Sequence, residues 1–144
     1  MNLSEHFTLE ELTASEIGAR KGIDNTPGPQ VQQNLVRLAK FLEEVRKVIG
    51  KPIMINSAYR SPEVNQAVGG VKTSQHCMGC AADIKVPGMT PDQVVRAIIA
   101  SKLQYDQLIR EFDAWTHVSI SNEEGSTPRG QTLIIDRAGT RPFV

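Results

Sequence analysis

Cysteine is scarce in this 144-residue chain: there are two, Cys77 and Cys80, three positions apart. That spacing does not make the disulfide framework of a small secreted domain. A structural thiolate zinc site wants four ligands, and no second C-x-x-C is present. No β-α-β pattern surrounds the pair, so a thioredoxin-like redox motif is not expected either. Net charge is also lacking. Lys+Arg and Asp+Glu both total 16, which argues against an electrostatic grip on nucleic acid or on anionic lipid. No run approaches the roughly 20 apolar residues of a membrane helix, so no membrane insertion is expected. Residues 1–10 show no basic start followed by an apolar stretch. A Sec signal is therefore not recognised, and synthesis in the cytoplasm is expected.

What is there fits an ordinary folded domain. Apolar residues make up 40% and charged residues 22%. A chain of this length can bury a core without disulfide staples, and a single domain over residues 1–144 is expected. Thr8-x-x-Glu11 looks like a capping box for a helix over 8–18. The turn-rich stretch 23–30 breaks it. Val31, Leu35, Leu38, Leu42, Val45 and Ile49 form one apolar stripe on a helix over 30–49, which Gly50 closes. Residues 53–57 read as a strand. Ser61-Pro62 opens a short helix that Gly69-Gly70 ends. Residues 81–86 read as a second strand, and Thr90-Pro91 begins another helix with Gln93 completing T-x-x-Q. Candidate strands at 105–112, 115–121 and 131–136 make the last third β-rich, with Asp113-Ala114 as a hairpin turn. Helices first and strands later give an α+β class: a small, mostly antiparallel sheet with helices packed on one side.

Three histidines occur, His6, His76 and His117. Zinc favours imidazole nitrogen and carboxylate oxygen, and a catalytic site keeps one position for water. Two histidines and an aspartate meet that need. In strand 81–86 the apolar Ala82, Ile84 and Val86 share one face, so Asp83 points to the other. In strand 115–121 Val118 and Ile120 share a face and His117 points opposite. Asp83 and His117 can therefore project from the same non-core face. His76 reaches that point from the loop before Asp83, with Gly79 allowing the tight entry to the strand. His6 reads as a surface residue.

Ser74-x-His76-x-x-Gly79-x-Ala81-x-Asp83, followed by Trp115-x-His117, resembles the signature of the zinc D-Ala-D-Ala peptidases. That family includes D,D-carboxypeptidases, vancomycin-resistance dipeptidases and phage endolysin peptidases, and shares its fold with the signalling domain of hedgehog proteins. Ser57-Ala58-Tyr59-Arg60-Ser61-Pro62 is similar to the family's S-G-Y-R-S-P segment, and Asn65 to Gly70 continue the match. Phe7 to Leu12 is similar to the lead-in of the small single-domain branch. The resemblance implies Zn2+ held by His76, Asp83 and His117.

It also implies roles. A carboxylate must take a proton from water and pass it to the leaving amine. Glu111 and Asp113 both precede His117; the branch motif E-F-x-x-W-x-H favours Glu111. A three-residue turn would pair Glu111 with His117 across the hairpin, and a two-residue turn at Asp113-Ala114 would pair Arg110 with it. Some relatives place the acid three residues before the last histidine, where this chain has Ala114. The arginine matching Arg60 contacts substrate and stabilises the developing oxyanion, a role suited to a guanidinium fork. Tyr59, Ser74 and Trp115 are candidate substrate contacts, with loop support the alternative for Ser74 and core packing for Trp115. The functional expectation is a monomeric peptidase acting on peptidoglycan stem peptides, at a D-Ala-D-Ala or an L-Ala-D-Glu bond. As in endolysins, it would reach the wall after holin-type release. The alternatives are a non-catalytic zinc-containing binding or phage structural module, and a cytoplasmic D-Ala-D-Ala dipeptidase.

Overall fold

The computed structural model describes residues 1–143. The amino-terminal segment holds two short helices, α1 (Leu9–Thr13) and α2 (Glu16–Lys21), where one was expected. Thr8 does cap α1, its hydroxyl accepting from the Glu11 N–H at 3.0 Å. The chain then extends at Ala14 (ψ 134°), and the Ser15 hydroxyl starts a new helix by accepting from Gly18 N–H. Two competing cap residues cut one segment into two.

Helix α3 (Pro29–Ile49) begins with proline at its first turn and ends at Gly50. Gly50 has a φ of 73° and donates to Arg46 O at 2.8 Å, the left-handed stop that glycine supplies without strain. Leu35, Leu38, Leu42 and Val45 are wholly buried along one stripe. After β1 (Met54–Ser57), the Ser61 hydroxyl caps α4 (Pro62–Ala67). A 3₁₀ turn at Gln75–Met78 leads into β2 (Ala81–Lys85). Thr90 and Gln93 form the expected reciprocal capping box at the start of α5 (Pro91–Ser101).

Strands β3 (Gln107–Glu111), β4 (Trp115–Ser119), β5 (Gln131–Asp136) and β6 (Gly139–Pro142) complete a six-stranded sheet in the order β1-β2-β4-β3-β5-β6. Every neighbouring pair is antiparallel except β3 with β5. The architecture is α+β, as expected. Strand β6 was not foreseen: Gly-Thr-Arg-Pro has no apolar alternation, and all four residues are exposed.

Side-chain parity divides the sheet. Ala82, Ile84, Leu108 and Val118 are wholly buried in a core shared with residues of α3 and α5. Helix α5 lies on β3 and β4 and packs against α3. Asp83, Ile109, Glu111, Trp115 and His117 belong to the opposite face, because paired residues on neighbouring strands point the same way. The hydrophobic pattern that fixes the core face thereby fixes the polar one.

Candidate metal centre

Asp83 and His117 are direct partners across β2 and β4. Their side chains meet with Asp83 Oδ1 and His117 Nδ1 3.0 Å apart. His76 comes from the 3₁₀ turn and sets Nε2 3.4 Å from Asp83 Oδ2. The two imidazoles lie edge to face, with ring centroids 5.2 Å apart. One ligand atom from each of the three residues lies within 4.8 Å of the others, so His76, Asp83 and His117 form a group that can hold a metal ion.

Proton bookkeeping at His76 tests whether a cation fits. His76 Nδ1 lies 2.6 Å from Ala58 O. A carbonyl oxygen can only accept, so Nδ1 carries the hydrogen. In the neutral ring Nε2 is then a bare lone pair, aimed at a carboxylate oxygen. Two acceptors at 3.4 Å repel unless a proton or a metal cation sits between them. A tetrahedral zinc with bonds of about 2.0–2.1 Å needs ligand atoms about 3.3 Å apart, and His76 Nε2 and Asp83 Oδ2 are 3.4 Å apart. The donor set is two nitrogens and one carboxylate, which suits zinc. The Ala58 carbonyl is the outer partner that fixes the imidazole's orientation.

Burial raises the Asp83 carboxyl pKa, but hydrogen bonds and charge from His117 and His76 outweigh it and hold the group well below the ordinary carboxylate range. Asp83 is thus ionised throughout the neutral range. Glu111 goes the other way. Burial and the negative charge of Asp83 push it up, against the weaker opposing influence of His117, Trp115 and Arg60.

The hairpin register differs from both alternatives drawn from the sequence. Glu111 pairs with Trp115, Ile109 pairs with His117, and Phe112, Asp113 and Ala114 form a three-residue turn. Phe112 and Asp113 take positive φ values of 53° and 50°, which moves the turn's centre to Asp113. Glu111 is therefore a diagonal neighbour of His117 on the same face, not its direct partner. Its Oε1 is 4.0 Å from His117 Nδ1, while Oε2 accepts from Trp115 Nε1 at 3.0 Å. Asp113 turns away, exposed and paired with Arg110 at 3.0 Å. Trp115 is half-buried against Phe112, its indole N–H on the Glu111 carboxylate.

Other expected residues are placed as follows. Arg60 is half-buried on the loop after β1, its backbone N–H on His76 O at 3.1 Å and its Nε buried without a partner. The Ser74 hydroxyl accepts from His76 N–H at 3.2 Å and caps the 3₁₀ turn. Tyr59, expected to touch substrate, is instead 5% exposed within the hydrophobic core. Cys77 and Cys80 are free thiols, and burial raises the pKa of both.

Three supporting residues were not singled out by sequence. Gln75 is buried beside His76 and donates to Asp106, Ile120 O and Asn122 at 2.9–3.1 Å. Asn25 clamps the Arg60 segment from both sides, donating to Thr13 O and Tyr59 O and accepting from Ser61 N–H at 2.7 Å. Asn34, buried in α3, donates to Met78 O at 2.9 Å. Each is an amide in a polar or helical stretch, where nothing local distinguishes it from a surface residue.

Two imidazoles and a carboxylate on the polar face of a sheet, with a further carboxylate alongside, define a metallohydrolase type of centre. The chain belongs to the Peptidase M15 family, whose members are zinc-dependent peptidases, and the match covers residues 5–119. That span runs from before α1 to the end of β4 and includes His76, Asp83, His117, Glu111, Trp115, Arg60 and Ser74. No curated protein matches the chain.

Proposed function

We propose that this chain is a zinc peptidase that hydrolyses a peptide bond in peptidoglycan stem peptides, of the D-Ala-D-Ala or the L-Ala-D-Glu type. The observation that carries the reading is the placement of Glu111. It stands on the same sheet face as Asp83 and His117, its free oxygen 4.0 Å from His117 Nδ1. Family membership supports metallopeptidase chemistry, and the Ser74–Asp83 and Arg60 segments support the cell-wall branch.

His76, Asp83 and His117 would hold the zinc, which when bound polarises the scissile carbonyl and activates water. Glu111 accepts the proton of the attacking water on Oε1 and delivers it to the leaving amine. Trp115 keeps Oε2 occupied, so the carboxylate presents one defined oxygen. Burial and the charge of Asp83 raise the Glu111 pKa, which makes its carboxylate a better proton acceptor for this exchange. Arg60, held by Asn25 and His76, supplies positive charge and donors toward the developing oxyanion. Ser74 acts through the turn that carries His76. A single copy holds the whole set, which supports a monomer as the working unit. No helix among the described residues is long and apolar enough to cross a membrane. Access to the wall by holin-type release is part of the proposal.

The test is digestion of purified sacculi by the zinc-loaded protein beside Glu111→Gln, with mass spectrometry of the fragments. New peptide termini made only by the unmutated protein establish the activity and identify the bond. Intact sacculi, with one zinc bound per chain, would overturn it in favour of a non-catalytic module or a dipeptidase.

A further inference from the structure

A pocket of about 570 Å³ lies between α4 and the segment Gly69–Lys72, with Cys77 in its wall. Cys77 belongs to the 3₁₀ turn that carries His76, and the charge of Arg60 acts on both Cys77 and Glu111, which places the pocket near that centre.

Its outer wall is fastened to α4. Asn65 is 3% exposed and donates from Nδ2 to Val71 O at 2.7 Å, while Gly70 N–H donates to Asn65 O at 2.9 Å. A Cβ at Gly70 would fall 2.0 Å from Asn65 Oδ1, so only glycine lets the wall close on the helix. Lys72 follows two residues later, exposed at the rim.

The lining chemistry is one-sided. Lys72 is the one charged residue among the described residues lining the pocket; Asn65 and Gln66 add amides, and no acid is present. A preformed cavity with a cation and amides favours a ligand bearing a carboxylate next to peptide groups.

We propose that this pocket is a subsite for an anionic residue of the peptide substrate, with Lys72 holding a carboxylate that flanks the bond to be cut. The inference rests on the peptidase reading above and adds a substrate class to it: acidic stem peptides over their amidated forms.

Cys77 reports occupancy without any need for catalysis. It lines the pocket and is partly exposed, whereas Cys80 is wholly buried, so iodoacetamide should modify Cys77 selectively. The experiment uses zinc-loaded Glu111→Gln protein, which leaves the probe uncut. The probes are L-alanyl-γ-D-glutamyl-L-lysine with a free α-carboxylate on the glutamyl residue, and the same peptide with that group amidated. The free acid is expected to protect Cys77 at about fivefold lower concentration than the amide, the effect of one exposed charge pair. Lys72→Met should abolish the difference. Lys72 is an exposed rim residue, so this variant leaves the fold intact. Equal protection by the two peptides, no protection by either, or an acid preference that survives in Lys72→Met would each overturn the subsite. Selective protection beside uncut sacculi would leave the subsite standing and remove the peptidase reading. Cut sacculi with no protection would do the reverse.

Discussion

Asp83 and His117 sit opposite one another on adjacent antiparallel strands, with Oδ1 and Nδ1 3.0 Å apart. Neither depends on a flexible loop for its position. Both inherit it from the alternation that buries Ala82, Ile84 and Val118 on the other face. Only His76 comes from a turn, and that turn is braced by Ser74, Gln75, Asn34 and the Ala58 carbonyl. A rigid sheet with one braced loop is the arrangement that holds a metal geometry to tenths of an ångström.

Glu111 and Trp115 should separate by degree. Glu111→Gln is expected to lower kcat by about 10²–10⁴-fold, the usual contribution of a general base. Trp115→Phe removes the indole donor from Oε2 but keeps the carboxylate, and a loss of about tenfold is expected. Zinc content should stay at one per chain in both, measured by metal analysis alongside steady-state kinetics. Equal losses in the two variants would contradict the orienting role of Trp115.

Asn25 should act on the reaction without touching metal. It fastens both sides of Arg60 through Tyr59 O and Ser61 N–H. Asn25→Ala is expected to lower kcat/KM by about tenfold, because small misplacements of a charge-stabilising group are costly. Zinc affinity should be unchanged. Kinetics and zinc titration on the same preparation check both halves.

Gly79 and Gly69 both have positive φ, 74° and 78°, but different surroundings. A Cβ at Gly79 would meet Val31 Cγ1 at 2.9 Å and Val31 O at 3.0 Å, whereas nothing lies within 4 Å at Gly69. Gly69→Ala should cost about 1 kcal/mol of backbone strain. Gly79→Ala adds overpacking and should cost about 2–4 kcal/mol. Urea unfolding measures the difference. Equal costs would show that α3 does not press on the entry to β2.

Asp106 predicts a pH dependence of stability. It is buried; although burial raises its pKa, hydrogen bonds from Arg129 and Gln75 lower it further, leaving it below the ordinary value. The unfolded chain binds this proton first. The stabilisation is therefore complete above the unfolded aspartate pKa of about 3.9 and is lost as pH falls below it through the folded value. Asp106→Asn should flatten the fall in urea midpoint between about pH 5 and pH 2, relative to the unmutated chain. An unchanged acid slope would count against the network that steadies Gln75 and the His76 turn.

Much of this site was legible because it obeys period two. Parity alone places Asp83 and His117 on one face, and the caps at Thr90 and Gly50 act as local chemistry dictates. The hairpin register was not legible. It depends on Phe112 adopting positive φ beside Asp113; aspartate favours that region, but nothing in a phenylalanine signals it. The break before α2 was hidden because Ser15 can either continue a helix or cap the next one. The burial of Tyr59 is not legible because a motif names neighbours, not directions: beside Arg60 in sequence, it packs in the core. Strand β6 is exposed and defined by its pairing with β5, so it left no hydrophobic pattern to read.

The most direct test is calorimetric titration of metal-stripped protein with zinc, beside Asp83→Ala and His117→Ala. The account predicts one zinc per chain in the unmutated protein, and affinity weaker by at least about a hundredfold in each variant. No zinc binding by the unmutated chain, or undiminished binding in either variant, would contradict it.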